Sequence, residues 1–181
     1  MPRKFFRKYL PDAESVRSNR LVAPFAHWLQ HPNIWHLNRH SVAGAVAIGL
    51  FSGLVPGPLQ MLTALILTLV LRKNLPVALL MTFYTNPFTI VPLYLLAYGY
   101  GRLLVGAPAA ANVEPFAMDW GDVLGSMAGL VDWMLGLGKP LAIGLVALGI
   151  TLAALGYMAV QLGWRLYVTA AWRARKRRRC R

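Results

Sequence analysis

Carboxylates are scarce in this chain: its 181 residues hold six Asp and Glu together. None lies between Glu14 and Glu114, so the most apolar part of the sequence lacks the paired carboxylates of general acid–base catalysis. Cysteine is scarcer still. Cys180 stands alone, which excludes an intramolecular disulfide and a four-cysteine metal site. There is no nucleophile elbow, no HExxH pair and no glycine-rich phosphate loop. The sequence offers no catalytic residue and no cofactor motif, and it is not expected to be an enzyme.

Apolar residues, by contrast, make up 57% of the chain, and mean hydropathy is +0.49. A soluble domain of this size can bury one long apolar segment, but hardly the three found here. The formal charge of +13 gathers at the two ends. Arg3, Lys4, Arg7, Lys8, Arg17, Arg20 and Arg39 precede the first apolar block, and Arg165 and the run from Arg173 to Arg181 follow the last. Glu114, Asp119, Asp122 and Asp132 sit in the one long connection between blocks. The positive-inside bias then predicts cytoplasmic termini and an outer connection. Arg173, Arg175, Lys176, Arg177, Arg178 and Arg179 follow a span directly, so the expected partner is the anionic lipid surface, at about 1 kcal/mol per basic residue. Nucleic acid is not expected. The first apolar run starts only after residue 40 and lacks a small-residue cleavage site, so no cleaved signal peptide is read.

Two of the three blocks are broken by proline. Block 42–71 is interrupted by Val55-Pro56-Gly57-Pro58, block 75–105 by Thr85-Asn86-Pro87, and block 141–162 is unbroken. The first would be roughly 45 Å long if helical throughout, too long for one untilted span and too short for two. Arg72-Lys73-Asn74 follows it at once. A re-entrant hairpin with Pro56-Gly57-Pro58 at its tip keeps those cations inside, and the basic-residue bias favours it over a single kinked span. The expected fold is therefore an all-α membrane protein of re-entrant or broken helical hairpins plus two or more transmembrane helices. Its parts would be a basic cytoplasmic lead-in (1–40) with an interfacial amphipathic segment at 21–30, a membrane domain (41–165) and a basic cytoplasmic tail (166–181). Within the membrane domain, the connection 106–139 carries Phe116, Trp120, Val123, Leu124, Met127, Leu130, Val131 and Met134 at helical spacing. Asp119, Asp122, Ser126, Gly129 and Asp132 fall opposite, which reads as an outer amphipathic helix.

Asn86-Pro87 reads as the start of a half-helix, since asparagine caps well and proline suits the first helical position. Its free N–H groups and positive dipole end would attract an anion. Pro56-Gly57-Pro58 would start a second half-helix, with Gln60 and Thr63 in its first turns. The alternative is a pair of packed kinks, proline and glycine being ordinary in membrane helices. Arg72, Lys73 and Arg102 would bind a phosphate head group, or would act as snorkelling anchors. The candidate substrate-binding set is Pro56, Gly57, Gln60, Arg72, Lys73, Asn86, Thr89 and Arg102. His27, His31, His36 and His40 form two i, i+4 pairs. Pro32 separates the pairs and no carboxylate or cysteine joins them, so no metal site is expected. Tyr84, Tyr94, Tyr98 and Tyr100 flank the second break, at the interface or along a polar path.

Several separated motifs resemble a known family. They are Gly49-Leu50-Phe51-Ser52-Gly53-Leu54-Val55-Pro56, Leu71-Arg72-Lys73-Asn74-Leu75-Pro76, Thr85-Asn86-Pro87-Phe88-Thr89, Pro92-Leu93-Tyr94 and Tyr98-Gly99-Tyr100-Gly101. Over approximately residues 35–165 the chain is similar to the bacterial family called domain of unknown function 2062. The shared motif positions fall on Pro56, Asn74, Pro76, Asn86, Pro87, Thr89 and Gly101. The resemblance implies a small multi-pass protein of the Gram-negative inner membrane. It also implies cell-envelope work, since some relatives carry this domain beside glycosyltransferase domains, and it supplies no catalytic residue. Two functions are expected from the whole reading. One is a small transporter or translocase of an anionic lipid-phosphate or similar envelope substrate. The other is a non-transporting scaffold that recruits an envelope enzyme, such as a glycosyltransferase, or binds anionic lipid. A homo-oligomer is compatible with either.

Overall fold

A computed structural model describes residues 34–35, 37–57, 59–106, 116–117 and 121–179. The lead-in segment 21–30, His27, His31, His36, Pro58, Glu114 and Asp119 lie outside the described residues, as do the side chains of residues 176–179. Among the described residues the fold is all-α, with five helices and no strand: α1 Arg39–Ser52, α2 Leu59–Leu71, α3 Leu75–Thr82, α4 Ile90–Val105 and α5 Val123–Arg179.

Local capping residues set most of these ends. Asn38 caps α1 by accepting from the Ser41 N–H at 2.7 Å. Asn74 caps α3 by accepting from the Val77 N–H at 3.0 Å, with Pro76 in the first turn where its missing N–H costs nothing. At the end of α2, Lys73 N–H bonds back to the Thr68 carbonyl at 3.0 Å and Arg72 N–H to Leu69 at 3.4 Å. That pattern is a Schellman turn, and it puts Arg72 in the left-handed region at φ 51, a position where glycine is favoured. Gly138, at φ 60 and ψ −145, interrupts α5, and Pro140 restarts it.

The first three helices form a hairpin and a half. Ile34 packs with Leu69 and Leu75 at one end, so α1 starts where α2 finishes and α3 begins. Ala45, Ile48, Ala64 and Ala78 meet half-way up. α2 therefore runs antiparallel to α1, and α3 returns alongside it. The long arm of α5 lies antiparallel to α1: Gly149 is against Phe51 and Leu54, Gly156 against Leu50 and Val46, and the Gln161 amide is 3.2 Å from His40 Nδ1. Nearer its start, α5 crosses α4. A Cβ on Gly101 would land on the Pro140 carbonyl oxygen, and one on Gly144 on the Ala97 carbonyl oxygen, so only glycine fits at either place.

The core is narrow, and much apolar side-chain surface points outward. Leu59, Met61, Leu62, Ile66 and Val70 on α2 are exposed, as are Leu96, Leu103 and Leu104 on α4. Within α5, Ala128–Arg173 is long and apolar enough to cross a bilayer, and only 17% of its most apolar stretch is buried inside the protein. The core helix of a water-soluble protein would be mostly buried, and this one is not. α2 and α4 are apolar but shorter. The first arm of α5 is amphipathic with a register that differs from the sequence expectation. Ser126, Leu130, Trp133, Met134 and Leu137 turn inward while Val131 and Leu135 are exposed. Docking of Trp133, Met134 and Leu137 on the Tyr94–Ala97–Leu148 cluster sets that rotation.

Candidate functional site

The two proline breaks meet. The turn after α1 and the turn before α4 are joined by side chains of the second reaching carbonyls of the first, and together they account for the last carbonyls of α1. Gly49 accepts from Gly53 N–H, Phe51 from Leu54 N–H and Ser52 from Val55 N–H. The remaining acceptors are reached from across the seam. Tyr84 Oη donates to the Leu50 carbonyl at 2.7 Å, Thr85 Oγ1 to Gly53 at 2.6 Å and Tyr94 Oη to Leu54 at 3.0 Å. Unwinding a helix in an apolar medium orphans these groups, and three hydroxyls take them up. Gln60, in the first turn of α2, brings its amide oxygen within 2.9 Å of Thr85 Oγ1. The Thr85 hydroxyl thus has three acceptors in reach, the Gly53 and Thr82 carbonyls and the Gln60 amide oxygen, with Gly53 the nearest. Ser52 Oγ lies buried beside this seam without a partner among the described residues.

The height of the seam follows from α5. Pro140 lies against Gly101 and Gln161 against His40, with Gly149 against Phe51 and Leu54 between them. At 1.5 Å per residue those contacts stand roughly 14 Å and 18 Å from Gly149. The break is thus half-way along a stack about as tall as a bilayer core.

Asn86 does not leave a helix N-terminus open. Its Oδ1 accepts from Phe88 N–H at 2.9 Å and Thr89 N–H at 3.1 Å. Thr89 Oγ1 in return accepts from Asn86 N–H at 2.9 Å and donates to the Tyr84 carbonyl at 2.7 Å. This is a reciprocal cap. It uses two of the N–H groups expected to face an anion, while the Asn86 amide nitrogen makes no hydrogen bond among the described residues. Asn86, Pro87 and Phe88 are exposed, Phe88 by 75%; Pro56, Gly57 and Gln60 are half-buried.

Of the sequence-predicted set, the fold brings together Pro56, Gly57, Gln60, Asn86 and Thr89. It separates the cations from them, and Arg102 from Arg72 and Lys73. Lys73 lays its stem across Gly44 in the first turns of α1, at the same end as Arg72, Arg39 and His40. Arg102 follows Gly101, at the opposite end beside Pro140. Its guanidinium lies 5.7 Å from the centre of the Tyr98 ring. The seam's main bridge, Thr85, was not singled out from sequence. A threonine in a loop carries no periodicity, and only the chain's return beside Gly53 gives it a role.

Residues 22–173 match the model of a family described as an uncharacterized protein conserved in bacteria, domain of unknown function 2062. The match covers most of the chain, and the protein belongs to that family. No curated protein and no solved structure matches it.

Proposed function

We propose that this member of the domain of unknown function 2062 family is a multi-pass protein of the bacterial inner membrane that binds and passes an anionic lipid phosphate at a laterally open, mid-depth break. In this arrangement α1 and α2 form a hairpin that dips in from the cytoplasm and returns. α3 and α4 form one broken crossing, and α5 crosses back from Pro140 to Gln161, roughly 32 Å at helical rise. Arg39, Arg72, Lys73 and Arg165 then share the cytoplasmic end, in keeping with the positive-inside bias.

The observation that carries the proposal is the exposure of Asn86, Pro87 and Phe88 at half height, next to the Thr85 that ties this turn to Gly53 and Gln60 on either side of the half-buried Pro56 and Gly57. Irregular backbone at that depth is stable only against protein or water, never against acyl chains. Broken helices at mid-depth are where transporters bind their substrates. A site open sideways suits a ligand that keeps its tails in the bilayer and offers only its head group. Asn86 would donate from its free amide nitrogen and Gln60 would supply the second polar arm.

The test is thiol labelling in native membranes. With Cys180→Ser as background, single cysteines replace Pro56 and Asn86; Gly57 is avoided because its φ of 65 penalises any side chain. Labelling of both by small water-soluble reagents supports a hydrated site. Protection of both in folded protein would mean sealed kinks and would sink the proposal. Asn86→Ser sharpens it, since serine keeps a capping oxygen but removes the amide donor. Lipid-phosphate binding should fall several-fold with the thermal midpoint nearly unchanged.

The scaffold reading draws on a separate observation. α5 continues past Gln161 to Arg179 with Trp164, Leu166, Tyr167 and Trp172 exposed. Under that reading, removal of residues 173–181 abolishes function and the seam variants act only through stability.

A further inference from the structure

Arg102 is unlike the other described cations. It sits in the last turn of α4, where the helix dipole favours a positive charge. A simple snorkelling anchor holds its guanidinium in water. Here Nε is buried and has no acceptor among the described residues, and the only described partner of the side chain is the face of Tyr98. Stacking fixes the plane of the guanidinium and leaves its edge unsatisfied. Beside it lies an open recess of about 460 Å³ lined by Gly99, Arg102, Leu103 and Gly106. A Cβ at Gly99 or Gly106 would meet nothing within 4 Å among the described residues, so those residues leave the recess unfilled. Leu103 is 82% exposed at its rim, an apolar edge next to a cationic one. Lys139, next to the Pro140 that rests on Gly101, adds a second cation to this end.

We infer that Arg102 seats the phosphate of an anionic lipid head group in this recess. The phosphate accepts from the two terminal amino groups of the guanidinium, Tyr98 holds the plane, and the acyl chains run along Leu103. The planar fork of arginine matches two phosphate oxygens at once, which a lysine cannot do. The seat rests on the membrane reading above but not on the break. It stands about twelve residues of helix from Ile90, roughly 18 Å, so it can bind even if the break proves sealed.

The experiment is a titration of the purified full chain, in neutral detergent, with short-chain phosphatidylglycerol, and separately with inorganic phosphate. Bound lipid is counted by native mass spectrometry. The basic C-terminal tail is left in place in every variant, so its own lipid binding cancels. Arg102→Gln should weaken one lipid-binding step about tenfold, the usual worth of a charge-assisted hydrogen-bonded pair. Gly99→Leu should do the same by filling the recess, with the thermal midpoint kept. Arg102→Lys should recover little of the loss. If folded Gly99→Leu and Arg102→Lys proteins bind as tightly as the wild type, Arg102 is an anchor and the seat does not exist. If inorganic phosphate binds the wild type as tightly as the lipid, the ligand is the free ion and the lipid assignment falls.

Discussion

The seam between the two breaks and the crossing of α4 over α5 both hold helices together, and they do so in opposite ways. The crossing uses almost no chemistry. Gly101 and Gly144 let two backbones touch, and packing at closest approach holds the pair. The seam uses almost nothing else. Tyr84, Thr85 and Tyr94 spend their hydroxyls on carbonyls that unwinding left bare. Contact between backbones tolerates no added atom. A hydroxyl-to-carbonyl seam tolerates added bulk better and suffers from the loss of a single proton. The polar, adjustable region is where a ligand is expected, and the crossing is the rigid post beside it.

Three substitutions test this contrast. The largest effect belongs to Gly144→Val, which drives a side chain into the Ala97 carbonyl. A destabilisation of about 3 kcal/mol or more is expected, at the upper end of overpacking. It would be read as loss of monodisperse protein on heating in detergent. A Gly144→Val protein as heat-stable as the parent would show that the crossing bears no weight. Thr85→Val comes next. It keeps the shape, removes the hydroxyl and leaves the Gly53 carbonyl bare, for about 2 kcal/mol. Thr85→Ser should regain most of that in the same melting assay, and equal loss in both variants would point to packing instead of the hydrogen bond. The smallest effect is a gain. Arg72→Gly relieves a left-handed arginine and should stabilise by about 0.5–1 kcal/mol, offset in part by the freedom glycine adds to the unfolded chain. A lower melting midpoint for Arg72→Gly would show that the Arg72 side chain has a role the turn does not reveal.

The helix boundaries were legible because their causes are local. Proline, glycine and asparagine act on the residues next to them, so Asn86-Pro87 and Pro56-Gly57 announce breaks in any surroundings. The apolar blocks likewise belong to composition, and with them the all-α class. The family motifs were readable for the same reason: they are the punctuation itself. The role of Asn86 was half legible. Its capping oxygen followed from residue type, while the return of Thr89 onto it, which closes the site to two of its expected donors, needed the chain's actual path.

Tertiary structure decided everything that depends on which distant residues share a height. Arg72, Lys73 and Arg102 look like one basic set in the sequence, yet helix direction sends them to opposite ends of the stack. Thr85 and Tyr94 gain partners 32 and 40 residues away. Val131 and Ser126 exchange their expected sides because the arm rotates to dock Trp133. The physical reason is one of range. Dihedral preference and hydropathy are written residue by residue, whereas backbone-to-backbone contact at Gly101 and Gly144 and the filling of bare carbonyls exist only once two segments lie side by side.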